Sequence, residues 1–166
     1  MRVSFVLMAC AIGVCLVLGA GLLTSFASVS TLEATVNIHP ETLNCKHAYA
    51  DKAGGRWITA YIELPEDGDI SDIDISTVLL DGVPAESDSK YGFVKNPEMK
   101  DRDENGVPEL MVKFDKHAVV NHVLSQLVHM MPIPKRGKEI PLTITGSLID
   151  GRTFEGSDAV RAIHPE

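Results

Sequence analysis

Hydrophobic and polar residues alternate with a period of two through most of the chain beyond residue 34. In the first such run, Ala34, Val36 and Ile38 alternate with polar residues before Pro40 ends it. Successive side chains of a strand point to opposite faces, so this alternation predicts strands that are buried on one face. The same pattern predicts strands over 58–64, 77–80, 110–114, 140–148, 153–155 and 159–163, with 90–95 as a weaker candidate.

Alternation also assigns the faces of the strand over 140–148. Ile144 is predicted to lie in the core, and Thr143 and Thr145 on the opposite face. Asp150-Gly151 follows this strand. We expect it to form a two-residue hairpin turn in which both residues have positive φ.

One segment follows a helical period instead. Apolar residues recur at 118, 119, 123 and 127, on the same face as His122 and Gln126. Asp115 precedes this run and is typical of a residue that caps a helix N-terminus. The spacing predicts a short helix over 116–130 that ends before Pro132.

About seven short strands with turn signals roughly every 8–12 residues favour a mostly β fold, an antiparallel two-sheet β-sandwich with one short helix. A parallel α/β fold is disfavoured because it needs several helices. A small barrel is the alternative. We expect one β-sandwich domain over 34–163.

The N-terminal segment has a different composition. Residues 1–27 contain no acidic residue, and Arg2 is their only basic one; an apolar run covers 3–23. Small residues at Ser25 and Ala27 are typical of signal-peptidase sites, which predicts a signal peptide cut after Ala27. The apolar run is also long enough to span a bilayer, so an uncut membrane anchor is the alternative. Both interpretations predict a secreted, periplasmic or cell-surface protein.

Charge narrows the range of partners. The chain has 15 Lys and Arg residues against 23 Asp and Glu, a formal net charge of −8. Beyond residue 27 there are 14 basic and 23 acidic residues, a net charge of −9. Phosphate contacts need Lys and Arg, so we expect no nucleic-acid partner. Membrane contact is expected only through residues 3–24, if these are not cleaved.

Several blocks of the chain resemble a known type of module. They are 36–44 (VNIHPETLN), 57–65 (WITAYIELP), 72–74 (DID), 77–80 (TVLL), 110–115 (LMVKFD) and 142–146 (LTITG). Over nearly all of 34–163 the chain resembles a small Ig-like accessory module of secreted and surface proteins of archaea and environmental bacteria, which has no established activity. The resemblance implies an Ig-like β-sandwich, export and an association with calcium loops.

The segment 101–109 carries a candidate calcium site. Its oxygen-bearing residues alternate before a glycine, as calcium loops require. We expect ligands from the side chains of Asp101, Asp103 and Asn105, the carbonyl of Val107, and Glu109, which would close the site. Val112 stands where an EF-hand has its bidentate glutamate, so any such site differs from an EF-hand. The alternative is an acidic exposed turn.

Two further groups of residues, one aromatic and one acidic, do not indicate a specific binding or catalytic site. Trp57, Thr59 and Tyr61 share one strand face, where they would form an aromatic patch or pack beneath the helix. Asp67, Asp69, Asp72 and Asp74 are interpreted as capping and solubilising residues rather than a second cation site. The sequence contains no catalytic signature such as a Gly-x-Ser-x-Gly elbow, so we expect that the protein is not an enzyme.

Soft metal ligands form the last candidate group. They are Cys45, His47, His122, His129, Met130 and Met131. Imidazole and sulfur together suit copper or haem, although ordinary surface or half-buried histidines are the favoured interpretation. Cys45 would be the only cysteine left after cleavage, and we interpret it as a small buried hydrophobe.

These observations together predict an exported, non-enzymatic β-sandwich with a structural or interaction role, possible calcium stabilisation and an unidentified partner. One alternative is a subunit or anchor of a pilin-like surface assembly. The other is a periplasmic metal or redox accessory protein.

Overall fold

The computed structural model of the protein describes residues 30–45, 55–127 and 137–163. The strands in these ranges are β1 (Thr31–Glu33), β2 (Thr35–His39), β3 (Thr42–Asn44), β4 (Trp57–Glu63), β5 (Ile73–Leu80), β6 (Val83–Pro84), β7 (Met99–Lys100), β8 (Glu109–Asp115), β9 (Lys138–Leu148) and β10 (Thr153–Ile163). The helices described are α1 (Gly92–Lys95), α2 (Lys116–Leu127) and a 3₁₀ turn over Ile70–Asp72. The prediction of a mostly β fold is confirmed. Strands of two or three residues raise the number above the predicted seven.

The strands form two sheets. One has the order β1-β10-β9-β5-β6, and β3 also pairs with β10; the other has the order β2-β4-β8-β7. All pairings are antiparallel except those of β1 and β3, which run parallel to β10. The expectation of purely antiparallel pairing is therefore wrong for these two short strands.

The first three strands change sheet twice. β1 pairs with the start of β10, β2 joins the other sheet, and β3 returns to the far end of β10. Two hydrogen bonds connect β2 and the residue before it to β10: the Ala34 amide donates to the Glu155 carbonyl at 2.8 Å, and the Ile38 amide of β2 donates to Asp158 Oδ2 at 2.7 Å. β2 is therefore tied to both sheets. Because β1 begins at Thr31, the ordered domain includes residues before the predicted start at 34.

The core lies between the sheets, on the faces that the alternation assigns. Ile58, Ala60 and Ile62 of β4 are fully buried, and so is Ile144 of β9. The residues on either side of Ile144 in β9, including Thr145, are only partly buried. The prediction for this strand is confirmed. Buried residues of α2 join the same cluster, so the helix covers one part of the core.

The β9–β10 hairpin does not have the predicted turn. The Gly151 amide donates to the Leu148 carbonyl at 3.0 Å and the Leu148 amide to the Arg152 carbonyl at 2.8 Å, and only Gly151 has positive φ. This pattern is a three-residue loop with a left-handed glycine. The two-residue turn with positive φ at both positions is Asp81-Gly82, between β5 and β6.

The helix over 116–127 confirms the predicted start. Asp115 Oδ1 accepts hydrogen bonds from the amides of His117 at 3.0 Å and Ala118 at 3.1 Å, which caps the helix. The predicted end at 130 lies outside the described residues. The weak strand prediction for 90–95 is wrong, because this segment contains α1. Among the helices described, none combines the length and apolar character that crossing a lipid bilayer requires.

Candidate functional site

The 101–109 loop is organised by its own acidic side chains. Asp101 accepts hydrogen bonds from the amides of Asn105 at 3.0 Å and Gly106 at 2.9 Å. Asp103 accepts from the Asn105 amide at 3.2 Å and from the Asn105 side chain at 3.1 Å. Glu104 and Gly106 both have positive φ, as a sharp turn requires. Asp101, Asp103 and Asn105, the three predicted side-chain ligands at the start of the loop, are thus brought together.

Val107 and Glu109, the last two predicted ligands, make other contacts than the first three. The Val107 amide donates to Asn105 Oδ1 at 2.7 Å. Glu109 is buried at 9% exposure, and its Oε2 accepts from the Arg102 amide at 3.0 Å. Glu109 therefore ties the start of the loop to the start of β8. In the described part of the chain, no three His, Cys, Asp or Glu side chains are grouped so that they could hold a metal ion.

The loop lies beside the predicted acidic cluster. Asn105 Nδ2 donates to Glu63 Oε2 at 3.0 Å, which attaches the loop to the end of β4. An open cleft of ≈ 500 Å³ lies between the 101–109 loop and the segment that follows β4. On the side of that segment the cleft is lined by Glu66, Asp67, Asp69 and Asp72, together with Arg152. Asp69 caps the 3₁₀ turn by accepting from the Ser71 amide and hydroxyl, and these bonds lower its pKa. The capping role predicted for Asp69 is confirmed.

At the other end of β4, three aromatic rings pack together on the outer face of the four-stranded sheet. Trp57 packs edge-on against Tyr91 at 5.1 Å and Phe93 at 5.5 Å between ring centroids. Tyr91 and Phe93 are stacked on each other at 5.4 Å. The rings come from β4 and from the 91–93 segment, and all three are only partly buried.

Three cations cover these rings. The Arg56 guanidinium lies 4.6 Å from the Trp57 centroid, the Lys90 ammonium 4.8 Å from Tyr91, and the Lys113 ammonium 4.8 Å from Phe93. We call these six residues, Arg56, Trp57, Lys90, Tyr91, Phe93 and Lys113, the aromatic–cation patch. A guanidinium that stacks on a ring, as Arg56 does on Trp57, keeps its N–H groups available for further hydrogen bonds.

The carboxylates nearest the patch engage two of its cations. Lys90 pairs with Asp88, and this hydrogen bond lowers the pKa of Asp88 and raises that of Lys90. Arg56 lies 3.8 Å from Asp115. Lys113 forms no ion pair with any carboxylate in the ranges described, so its charge remains uncompensated by a direct contact.

The sequence pattern identified only part of this patch. Trp57 and Tyr61 share a strand face as predicted, but Tyr61 belongs to a separate group, with His39 edge-on at 5.8 Å and Arg102 stacked at 3.9 Å. Tyr91 and Phe93 were missed. The sequence feature that could have identified them is a pair of aromatic residues directly after Lys90. It was overlooked because the alternation of this segment resembled that of a weak strand.

The predicted soft-metal group is not assembled in the described residues. Cys45 is buried, its thiol donates to the Leu43 carbonyl at 3.8 Å, and burial raises its pKa. A thiol with a raised pKa is a poor source of thiolate ligand. His122 instead lies 3.6 Å from Asp81 Oδ2 and bonds to Gln126 at 2.7 Å. His47, His129, Met130 and Met131 lie outside the described residues.

Comparisons with models of known protein families, with curated proteins and with solved structures found no match.

Proposed function

We propose that the protein is an exported, non-enzymatic, Ig-like β-sandwich module with an interaction role at the cell surface or outside the cell. The apolar run over 3–23, followed by small residues at Ser25 and Ala27, supports export. The two sheets with one shared core support a sandwich, and the sheet changes of the first three strands agree with an Ig-like arrangement.

The aromatic–cation patch is the observation that carries the interaction role. Trp, Tyr and Arg are the residues most enriched at the energetic centres of protein interfaces. Here the six patch residues come from three segments of the chain and lie on the outer face of a sheet, away from the hydrophobic core. A surface built this way is suited to bind a partner that offers carboxylates to its cations.

Calcium is proposed as a stabiliser of the 101–109 loop. The side chains of Asp101, Asp103 and Asn105 already converge on one turn, and Glu109 connects that turn to β8. A calcium ion would replace several of the amide-to-carboxylate hydrogen bonds with ionic contacts. The loop follows β7 and precedes β8, so calcium would strengthen an edge of the four-stranded sheet.

Two measurements on the native organism test this function. N-terminal sequencing of the mature chain should begin near residue 28, or the intact chain should be found in the membrane fraction. The chain should also be retained by the washed cell envelope, and Lys113→Glu should reduce that retention by about tenfold. A cytoplasmic chain would contradict export, and unchanged retention of Lys113→Glu would contradict a role for the patch.

A further inference from the structure

One exposed dipeptide of the 101–109 loop combines a reactive sequence with a specific set of contacts. Of the five asparagines in the chain, Asn105 is the one that precedes a glycine. Asn105 and Gly106 are both exposed, and no atom lies within 4 Å of the position that a Cβ at residue 106 would take. Because glycine has no side chain, its amide nitrogen can approach the side-chain carbonyl of the preceding asparagine without a steric clash. That approach begins the conversion of asparagine to aspartate.

The backbone nitrogen that attacks in this reaction already donates to a carboxylate. The Gly106 amide donates to Asp101 Oδ2 at 2.9 Å. An ionised carboxylate accepts hydrogen bonds and can take up a proton from its donor. Asp101 is therefore placed to act as the base when the Gly106 nitrogen attacks Asn105 Cγ.

The side-chain carbonyl that is attacked is polarised by a second backbone amide. The Val107 amide donates to Asn105 Oδ1 at 2.7 Å. This hydrogen bond folds the Asn105 side chain back over the Gly106 peptide, since it closes a ring that contains the Gly106 nitrogen. Negative charge develops on Oδ1 during the attack, and the Val107 amide stabilises it as a donor of an oxyanion hole does.

The amide nitrogen that leaves has its own partners. Asn105 Nδ2 donates to Glu63 Oε2 at 3.0 Å and to Asp103 Oδ2 at 3.1 Å. These two bonds fix the orientation of the amide group, with Oδ1 towards Val107, so Glu63 and Asp103 are positioning residues. The attacking nitrogen, the attacked carbonyl and the leaving group are thus each held by a different part of the loop and its neighbour β4.

We propose that Asn105 is a self-modification site, at which the folded loop converts the side-chain amide into a carboxylate. The Gly106 nitrogen forms a bond to Asn105 Cγ, and its proton passes to Asp101. The Cγ–Nδ2 bond then breaks, and Nδ2 leaves as ammonia with the proton that Asp101 returns. The product of these steps is a five-membered succinimide ring.

Water completes the reaction by opening the ring at one of its two C–N bonds. One opening gives aspartate at position 105, and the other gives isoaspartate, in which the main chain runs through the former side-chain carbonyl. In sum, one water is consumed and one ammonia is released. This inference goes beyond the proposed function, because it requires neither the partner of the patch nor calcium.

The conversion removes a tie between the loop and the sheet. A carboxylate at position 105 cannot donate to Glu63, and it places a further negative charge beside Glu63 and Asp103. Because the ammonia is lost, each molecule undergoes the change once and does not return. The attachment of the 101–109 loop to the end of β4 therefore weakens with the age of the molecule.

Mass spectrometry of the full chain, as the producing cell processes it, tests the inference. The chain is incubated folded, at neutral pH in chelator, and the fragment that contains residue 105 should first lose ammonia and then gain one mass unit. A capped synthetic peptide of residues 99–111 is incubated alongside, and the folded chain should convert about tenfold faster. A folded chain that converts no faster than this peptide overturns the proposal.

Two matched variants separate the base from the charge of the loop. Asp101→Asn keeps an oxygen acceptor but cannot take up the proton, so it should slow the conversion by about tenfold. Glu104→Gln removes the same charge from the exposed neighbour of Asn105, whose side chain takes part in none of the contacts above, and should leave the rate unchanged. If Asp101→Asn converts as fast as Glu104→Gln, Asp101 is not the base and the proposal is wrong.

A third variant tests the positioning role. Glu63→Gln keeps an acceptor for Asn105 Nδ2, so it should convert at the rate of the unmodified chain, whereas Glu63→Ala should slow the conversion. Equal rates for these two variants would contradict the role of Glu63. Since all these rates are measured without a partner and without calcium, their outcome does not decide the proposed function.

Discussion

Asp81 and His122 face each other across the junction between the β5–β6 turn and α2, with Asp81 Oδ2 3.6 Å from His122 Nε2. The other carboxylate oxygen, Oδ1, accepts from the Thr143 amide at 3.1 Å, so Asp81 also contacts β9. Oδ2 is buried and has no hydrogen-bond partner in the structure. One side chain at a turn thus bridges a strand of one sheet and the helix that covers the core.

The two roles of Asp81 can be separated by substitution. Asp81→Asn should change the free energy of unfolding by less than about 0.5 kcal/mol, because asparagine tolerates the positive φ of 46° and keeps the acceptor for Thr143. Asp81→Ala should cost about 1–3 kcal/mol, because the Thr143 amide loses its acceptor. Urea unfolding measures both. Equal costs would show that the charge matters more than the hydrogen bond.

Gly156 lies where β2 crosses β10 and should tolerate no side chain. A Cβ there would stand 2.6 Å from Val36 Cγ2 and would overlap the Ala34 carbonyl. Gly156→Ala should therefore cost more than about 2 kcal/mol, because the backbone must move. Gly151→Ala is the control: it has φ of +88° but no atom within 4 Å, so strain alone should cost about 1 kcal/mol. A Gly156→Ala variant as stable as the control would show that β2 can shift away from β10.

The β9 strand provides a test of the two faces of one sheet. Ile144 is fully buried, so Ile144→Ala should cost about 2–5 kcal/mol of unfolding free energy. The neighbouring Thr145 is only partly buried, and Thr145→Ala should cost less than about 1 kcal/mol. Chemical denaturation of both variants gives the comparison. A larger cost at Thr145 would mean that the register of β9 is shifted by one residue.

The hydrogen bonds of the 101–109 loop predict that substitutions of Asp101 and Asp103 change the melting temperature in different ways. Calcium that binds only the folded protein raises its melting temperature, and Asp103→Ala should abolish that increment. Asp101 accepts two backbone amides of the loop, so Asp101→Ala should lower the melting temperature even in chelator. Thermal melts with calcium, magnesium and chelator distinguish these effects. If the unmodified chain gives identical melting curves in calcium, magnesium and chelator, the loop binds no calcium and is only an acidic turn.

Removal of the N-terminal segment should leave a folded domain, and that domain should be more stable if β1 is kept. A chain that begins at residue 30 should be soluble, with the circular dichroism of a β protein and a cooperative melt. A chain that begins at residue 34 loses β1 and the buried Leu32, and should be less stable by about 2–3 kcal/mol. Aggregation of the longer chain would indicate that residues 1–29 are needed for folding.

The local sequence pattern determined the main strands, the start of the helix and the acidic loop. The period-two alternation identified the main strands and their buried faces, because the side-chain direction in a strand follows from position alone. Asp115 was recognisable as a helix cap because its side chain bonds to amides two and three residues away. The acidic loop at 101–109 was recognisable for the same reason, since its hydrogen bonds lie almost entirely within nine consecutive residues.

Long-range packing decided the rest. Tyr91 and Phe93, at the start of the helix Gly92–Lys95, pack against Trp57, more than thirty positions earlier, and no local period records that contact. The loop after β9 has three residues because the pairing of β9 with β10 places Leu148 opposite Arg152. The parallel partners of β10, the Asp81–His122 pair and the patch all join residues distant in sequence, and only the tertiary structure brings such residues within contact distance.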